Sequence, residues 1–465
     1  MAITTFTPQM LYGQRGEGTR GVPEIPVVSV STDFKMTIKT DNAGTSADDS
    51  FYLKLANGTT NMTVDWGDGS SDLITAWNQS ELTHQYASPG TYQLSLDGAF
   101  YGFNFQYSDH LKVMSIDNWG NNAFGTMSRS FWGCSNLIGT YTDIPNTSAV
   151  ISFYQTFAYC TVFNSPVEFD TSSAITMNGM FWLVSAFNQP LAFDTSKVTD
   201  MSGMFKSTTA FNQTINFDGS ALITASAMFI SAGGMNSPVT ITNSTLLTNC
   251  SSMFGQMNLF NSDVTLDTTN VTTMASMFSF SSAFNGVLTF NGGTSNVTTM
   301  ASMFYYASSF NQLVNFNTAE VTTMSNMFKG AASFNQSLST FNTSKVTGTG
   351  MYSMFHNASS FNQPLAFDTS GITSMAFMLA NTGMNSSINF DTSAVTTMQS
   401  MFHNASSLNV LPTFNDTSNV TTMLNMFQGC VSFDQDISGF DITNLTTAGG
   451  MFTYSGWTIT DGGTP

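Results

Sequence analysis

Charge is what this sequence has least of. Asp, Glu, Lys and Arg make up 9% of its 465 residues, against roughly 25% in an ordinary soluble domain. What charge there is leans acidic, with 29 Asp and Glu against 11 Lys and Arg and a formal net charge of −18. Such a chain repels a phosphate backbone, which argues against nucleic acid as a partner. Glutamate occurs five times, and only Glu168 and Glu320 fall in the repetitive part of the chain. The paired acid and base of a glycoside hydrolase are therefore hard to find, and Glu168 beside Asp170 reads as coincidence. The four cysteines, Cys134, Cys160, Cys250 and Cys430, have no metal-type spacing and are too few for a disulfide framework. They are expected to be reduced packing residues. No run approaches the roughly 18 apolar residues of a membrane span, and the opening MAITTFTPQMLYGQRGEGTRGVPEIP has no basic segment leading into an apolar one. No membrane insertion, secretion signal or cofactor is expected.

What is present in excess is Phe (42) and Met (30), and they recur in order. The second residue of each Met-Phe pair or its variant falls at Phe131, Phe157, Phe181, Phe205, Phe229, Phe254, Phe278, Phe304, Phe328, Phe355, Leu379, Phe402, Phe427 and Phe452, a period of 23 to 27 residues. That periodicity implies a solenoid of about 14 repeats of about 24 residues over 101–455, each coil unable to bury its apolar face alone. In the coil from Asn188 to Gln213, Leu191-Ala192-Phe193 alternates as a strand does, and Val198, Met201, Met204 and Phe205 have helical spacing. The expected coil is a short parallel strand plus a helical or 3-10 turn, and the fold class mainly β. Leu191, Phe193, Val198, Met201, Met204, Phe205 and Phe211 should point inward, leaving Ala192, Lys197, Asp200 and Lys206 free for recognition.

Three polar columns accompany the core. Asn164, Asn188, Asn212, Asn236, Asn261, Asn285, Asn311, Asn335, Asn362 and Asn409 stand seven residues past the reference Phe, with Asn385 one early and Asp434 substituting. An amide at one corner can accept from the next coil's N–H and donate to its carbonyl, giving an internal structural ladder. Asp170, Asp194, Asp368 and Asp391, with Asn317 and Asn342 standing in, open an Asp-Thr-Ser corner suited to turns; a calcium site is the alternative. Thr199, Thr272, Thr298, Thr322, Thr347, Thr373, Thr396 and Thr421 form the third column, expected as helix N-caps, with ice binding the alternative. Just past the Met-Phe pair, where the turn meets solvent, stand Trp132, Trp182, Tyr305, Tyr306, His356 and His403, candidates for stacking on sugars or contacting protein.

Ahead of the array, WGDG at Trp66–Gly69, His84-x-Tyr86 and Pro89-Gly90-Thr91-Tyr92 lie in strand-and-turn surroundings. They resemble PKD-like immunoglobulin sandwiches, and a small β-sandwich is expected over 33–100. The unit FNQPLAFDTSKVTDMSGMF resembles BspA-type leucine-rich repeats of surface proteins. The resemblance implies a right-handed solenoid used in adhesion or display, with no catalytic residue. Such proteins usually carry a secretion signal and an anchor, and with neither pattern seen in this sequence a virion exterior appendage is expected: a phage fibre, spike or decoration protein. Residues 1–32 would form an extended arm docking onto other virion structural proteins. The array would meet a host-surface glycan or protein, and 456–465 would cap the last coil with Trp457 as its plug. A bacterial cell-surface adhesin and a tailspike-like depolymerase are the alternatives. A homo-oligomer is left open.

Overall fold

The computed structural model describes residues 32–457. Residues 1–31 of the expected arm and 458–465 of the expected cap lie outside that range. Seven strands build the N-terminal module: β1 (Phe34–Lys39), β2 (Ser50–Tyr52), β3 (Thr60–Asp65), β4 (Ser71–Ile74), β5 (Thr83–Gln85), β6 (Thr91–Phe100) and β7 (Val113–Asn118). Their apolar residues alternate: Phe34, Met36 and Ile38 of β1 are buried, paired antiparallel with Leu96, Leu94 and Tyr92 of β6. The sheet order is β4-β3-β6-β1-β7-β8, where β8 is Ile138–Gly139, with β2 and β5 forming a separate pair.

The final strand of that sheet, β8 (Ile138–Gly139), belongs to the first coil and runs parallel to β7. The boundary expected at residue 100 therefore cuts a single sheet. β7 sits in the module because it pairs with β1, and Phe34, Phe103, Phe124 and Phe131 share one aromatic core across the expected divide. The module closes the first coil and gives its strand a partner.

The motif residues form one network. Gly67 has φ +78°, and a Cβ there would lie 2.4 Å from the Gln93 carbonyl. Trp66 Nε1 donates to Asp72 at 2.9 Å, and His84 stacks on the indole at 4.7 Å while meeting Asp68 at 3.0 Å. The hydroxyl of Ser70, then His84, hold the Asp68 carboxyl down at about 2.

Beyond it the chain coils as a mainly β solenoid with almost no helix. Parallel pairing is most regular over β9 (Ile215–Asp218), β10 (Val239–Thr242), β11 (Val264–Asp267) and β12 (Leu288–Asn291), and recurs at β13 (Asn389–Phe390) and β14 (Thr413–Phe414). From Phe131 to Phe355 successive Met-Phe rings stack with centroids 5.3 to 5.9 Å apart. Each such pair is worth about 0.5–1.5 kcal/mol beyond its buried area. Leu379 interrupts the column, which resumes from Phe402 to Phe452 and ends with Trp457 stacked on Phe452 at 4.4 Å.

The helical or 3-10 turn expected in each coil is absent; the two 3-10 turns of the described residues lie at Ser80–Leu82 and His110–Lys112. In its place stand tight turns with a left-handed residue third in each. Met204 N donates to Met201 O across Gly203 (φ +61°), and Thr208 N to Phe205 O across Ser207 (φ +57°). The cause is stacking. Met201, Gly203, Phe205 and Ser207 donate their N–H groups to Thr224, Ser226, Met228 and Ile230 of the next coil at 2.8 to 3.0 Å. Amides committed to a neighbouring coil cannot make the bonds of a helix.

The polar columns follow the same logic. From Asn188 to Asp434 each residue's backbone N–H donates to the preceding Asn Oδ1 at 2.7 to 3.1 Å, beginning with Asn164 as acceptor and with Asn385 in register despite its offset. The ladder lies at the surface and not inside, and donation to the backbone carbonyl comes from the neighbouring Gln or Ser, as Gln189 Nε2 does to Asn164 O at 2.9 Å. The exposed Thr column caps no helix, because Thr322 Oγ1 donates to Thr298 O of the preceding coil. The Thr after each corner is buried instead. Thr318 Oγ1 donates to Asn342 O and accepts from Asn342 N, both at 2.8 Å.

Candidate functional site

The turn after a Met-Phe pair brings one or two consecutive residues to the solvent edge. In the coil ending at Phe211 these are Lys206 and the left-handed Ser207. The residues there vary from coil to coil, and in three stretches rings gather on or beside these turns.

In the first coils, Tyr107, Trp132, Tyr159 and Trp182 form a continuous ladder with centroids 5.0, 5.1 and 4.9 Å apart. Tyr107 is 73% exposed and the others half-buried. The Lys206 ammonium lies 4.9 Å over Trp182, and the Arg129 guanidinium 4.9 Å over Tyr154. Beside Trp182 a cleft of about 260 Å³ is lined by Gln155, Asn178, Ser202 and Lys206. Gly179 (φ +62°) and Gly203 (φ +61°) let the backbone turn there without filling the cleft.

A second stretch brings Phe280 and Tyr306 into a stack at 5.5 Å, with Tyr305 edge-on and the Lys329 ammonium 5.7 Å above Tyr305. In a third, Phe377 joins Tyr352 at 6.1 Å and His356 at 5.6 Å. Burial first, then Lys329 and His403, lower the His356 pKa to about 4, so its ring is neutral at pH 7. His356 and His403 each keep a buried Nδ1 with no hydrogen-bond partner among the described residues.

The six expected residues are thus brought together only in part. Trp132 and Trp182 share a ladder, Tyr305 and Tyr306 share a second cluster, and the two histidines stand in the third region. Tyr107, Tyr159, Phe280, Tyr352 and Phe377 complete these clusters: Tyr159 and Phe280 are the second residue past their pairs, as Tyr306 is, while Tyr107, Tyr352 and Phe377 stand outside that position. The carboxylates gather at another edge. The Ser hydroxyl, then the Ser N–H, lower the pKa of the Asp170, Asp194, Asp218 and Asp391 corners. Of the six basic residues after residue 100, Arg129, Lys206 and Lys329 lie on the aromatic turn face, while Lys112 is fully buried. The turn face thus carries rings and three cations, and the corner edge carries carboxylates together with Lys197, beside Asp194, and Lys345, paired with Glu320 at 2.6 Å.

A family model for DUF285, described as a Mycoplasma protein of unknown function, matches four successive segments, 95–192, 191–291, 289–388 and 382–457. The chain belongs to the DUF285 family. The four segments follow one another along the chain and together span 95–457, the whole run of Met-Phe coils. A crystal structure of a leucine-rich repeat protein from Bacteroides ovatus is similar at 10% identity over 81% of this chain and 93% of that one, with a TM-score of 0.28, too loose an overlay to carry an argument. No curated protein matches the sequence.

Proposed function

We propose that this DUF285 protein is a non-enzymatic adhesion or decoration protein that binds a surface glycan along the turn face of its first coils. The observation that carries the reading is the Tyr107–Trp132–Tyr159–Trp182 ladder with Lys206 at its end. Rings repeated once per coil on a rigid scaffold can stack against successive sugar residues at little entropic cost. The amides and hydroxyls of the adjoining cleft would read the sugar hydroxyls, and the cations would favour acidic substituents. Two finer readings go with it: a PKD-like N-terminal module, supported by the Trp66–His84–Asp68 network, and display on a virion exterior, with a bacterial cell surface as the alternative.

The test is binding of the purified protein to an array of bacterial and animal surface glycans, with reducing ends assayed in parallel. A restricted set should bind without cleavage, and Trp132→Ala and Trp182→Ala should each weaken binding about tenfold, the loss of one good ring contact. Tyr352→Ala, in a distant cluster, should bind as the parent does. Equal binding by all three variants would remove the ladder from the function, and released reducing ends would make the protein a depolymerase.

A further inference from the structure

We propose that Cys134 and Cys160 are an oxidation site: a disulfide joins them across the first two coils when the chain folds in the presence of a disulfide oxidant. In the structure both thiols are free and fully buried. Each stands third after its reference residue, Phe131 and Phe157, so the two occupy the same place in successive coils. The coils are in register around them. The Phe131 and Phe157 rings stack at 5.7 Å and 9° from parallel, while Phe131 N donates to Thr156 O at 2.9 Å and Gly133 N to Ala158 O at 2.8 Å. Backbones stacked in this way lie about 4.8 Å apart, within the roughly 4.4–6.8 Å between Cα atoms that a disulfide bridges. The Cys160 side chain already reaches across the step. Its Sγ lies 2.9 Å from Phe131 O, the oxygen to which Cys134 N donates at 3.1 Å, and the Cys134 N–H also bonds the Cys160 sulfur. The sulfur of one cysteine thus rests against the backbone of the other.

The other two thiols have no such neighbour. One coil away from Cys430 stand Ala405 on one side and Ser455 on the other, and Cys250 stands between Ala225 and Met274. The chain therefore allows one bond with one connectivity. Burial decides when it forms. The attacking species is a thiolate with access to its partner, and burial in the core pushes both thiols up, well above their ordinary range. Exchange must then precede the closure of one coil on the next. In it one cysteine attacks the S–S bond of oxidised glutathione, and one glutathione thiol leaves with that cysteine's proton. The second cysteine attacks the mixed disulfide, the cystine S–S bond forms, and the second glutathione leaves with the second proton. Two protein thiols are oxidised and one glutathione disulfide is reduced. A chain folded in a reducing compartment keeps both thiols, so the state of the pair records where folding took place.

The full chain, unfolded in urea with its thiols reduced and then refolded by dilution with or without glutathione disulfide, tests this. Thiols are counted in denaturant, and chymotryptic mapping locates the bond because no Lys or Arg separates the two cysteines. Refolding with the oxidant should consume two of the four thiols and join Cys134 to Cys160, whereas the same buffer added to the folded chain should consume none. Cys134→Ser should keep all its thiols through the same refolding, and Cys250→Ser should still lose two. Where dilution from urea gives no folded protein, export of the chain to the oxidising bacterial periplasm replaces it, with the same thiol count and map. Four free thiols after folding with the oxidant, a bond between any other pair, or equal oxidation of the folded chain would overturn the proposal.

Discussion

Two threonines of one coil allow a controlled test of what holds the solenoid together. Thr318 and Thr322 each bond the backbone of an adjacent coil, but Thr318 is 1% exposed while Thr322 faces solvent. Replacing either by Val removes a hydroxyl at nearly constant volume. In Thr318→Val both Asn342 O and Asn342 N lose the partner supplied by a buried hydroxyl. Each stranded group costs about 1–3 kcal/mol, so the expected loss is about 2–4 kcal/mol. In Thr322→Val the freed carbonyl of Thr298 can bond water, and a β-branched apolar residue suits a strand-like position, so the net change should stay within about 1 kcal/mol. Urea unfolding followed by far-ultraviolet circular dichroism reads both, with Thr318→Ser as the variant that restores the hydroxyl. Stacked repeats need not unfold in one step, so midpoints of the same transition are the quantity to compare. Equal midpoint shifts for Thr318→Val and Thr322→Val would refute the reasoning, because burial would then not distinguish the columns.

Two further outcomes are expected. His356 titrates near 4 in the fold against an ordinary 6.5, so between those values the unfolded chain takes a proton that the folded chain refuses. Stability should therefore fall as pH drops from 6.5 towards 4, and His356→Gln should flatten that slope; parallel curves for parent and variant would exclude His356 as its source. The lowered Asp corners contribute below their ordinary 3.8, outside this window. In the N-terminal module the buried Lys112 ammonium donates to Ala47 O at 2.7 Å, Ser50 O at 2.9 Å and Ser46 O at 3.2 Å, tying down a loop that the buried Asp109 also holds through Thr45 N and Tyr52 N. Lys112→Met should cost about 3–5 kcal/mol by stranding those three buried carbonyls; a melting temperature within a degree of the parent would show that the loop does not depend on the ammonium.

The repeat is legible in the sequence because its period is carried by side chains that stack on their own copies. Met-Phe, the second Phe and the Asn column align along the chain, and they are the core stacks and the surface ladder of the fold. The turn segment misleads because Val198, Met201, Met204 and Phe205 have helical spacing, yet their inward direction comes from left-handed residues between them. Gly179, Gly203, Gly330 and Gly429 carry that signal, since a glycine in a turn so often marks φ above zero. The two threonine columns cannot be told apart by residue type. Thr318 and Thr322 stand close together in the chain, and only the stacked geometry decides which one turns inward.

The site residues that the sequence pattern passes over share one cause. In a solenoid a residue's surface neighbours stand one period away, and the chain-adjacent residue usually points elsewhere. Cys160 has no cysteine near it in the chain, whereas Cys134 stands at the same place one coil earlier. Tyr159 looks like an isolated ring between coils and is instead the link joining Trp132 to Trp182. Tyr107 precedes the first Met-Phe pair and so falls outside the aligned array, although it stands one period before Trp132. Pairing each chemistry-bearing residue with those about 24 positions away, the length of one coil, assembles both the ladder and the Cys134–Cys160 pair from the amino-acid order alone. Recognition in such a chain is written across its coils, and a motif search along the sequence reads it in the wrong direction.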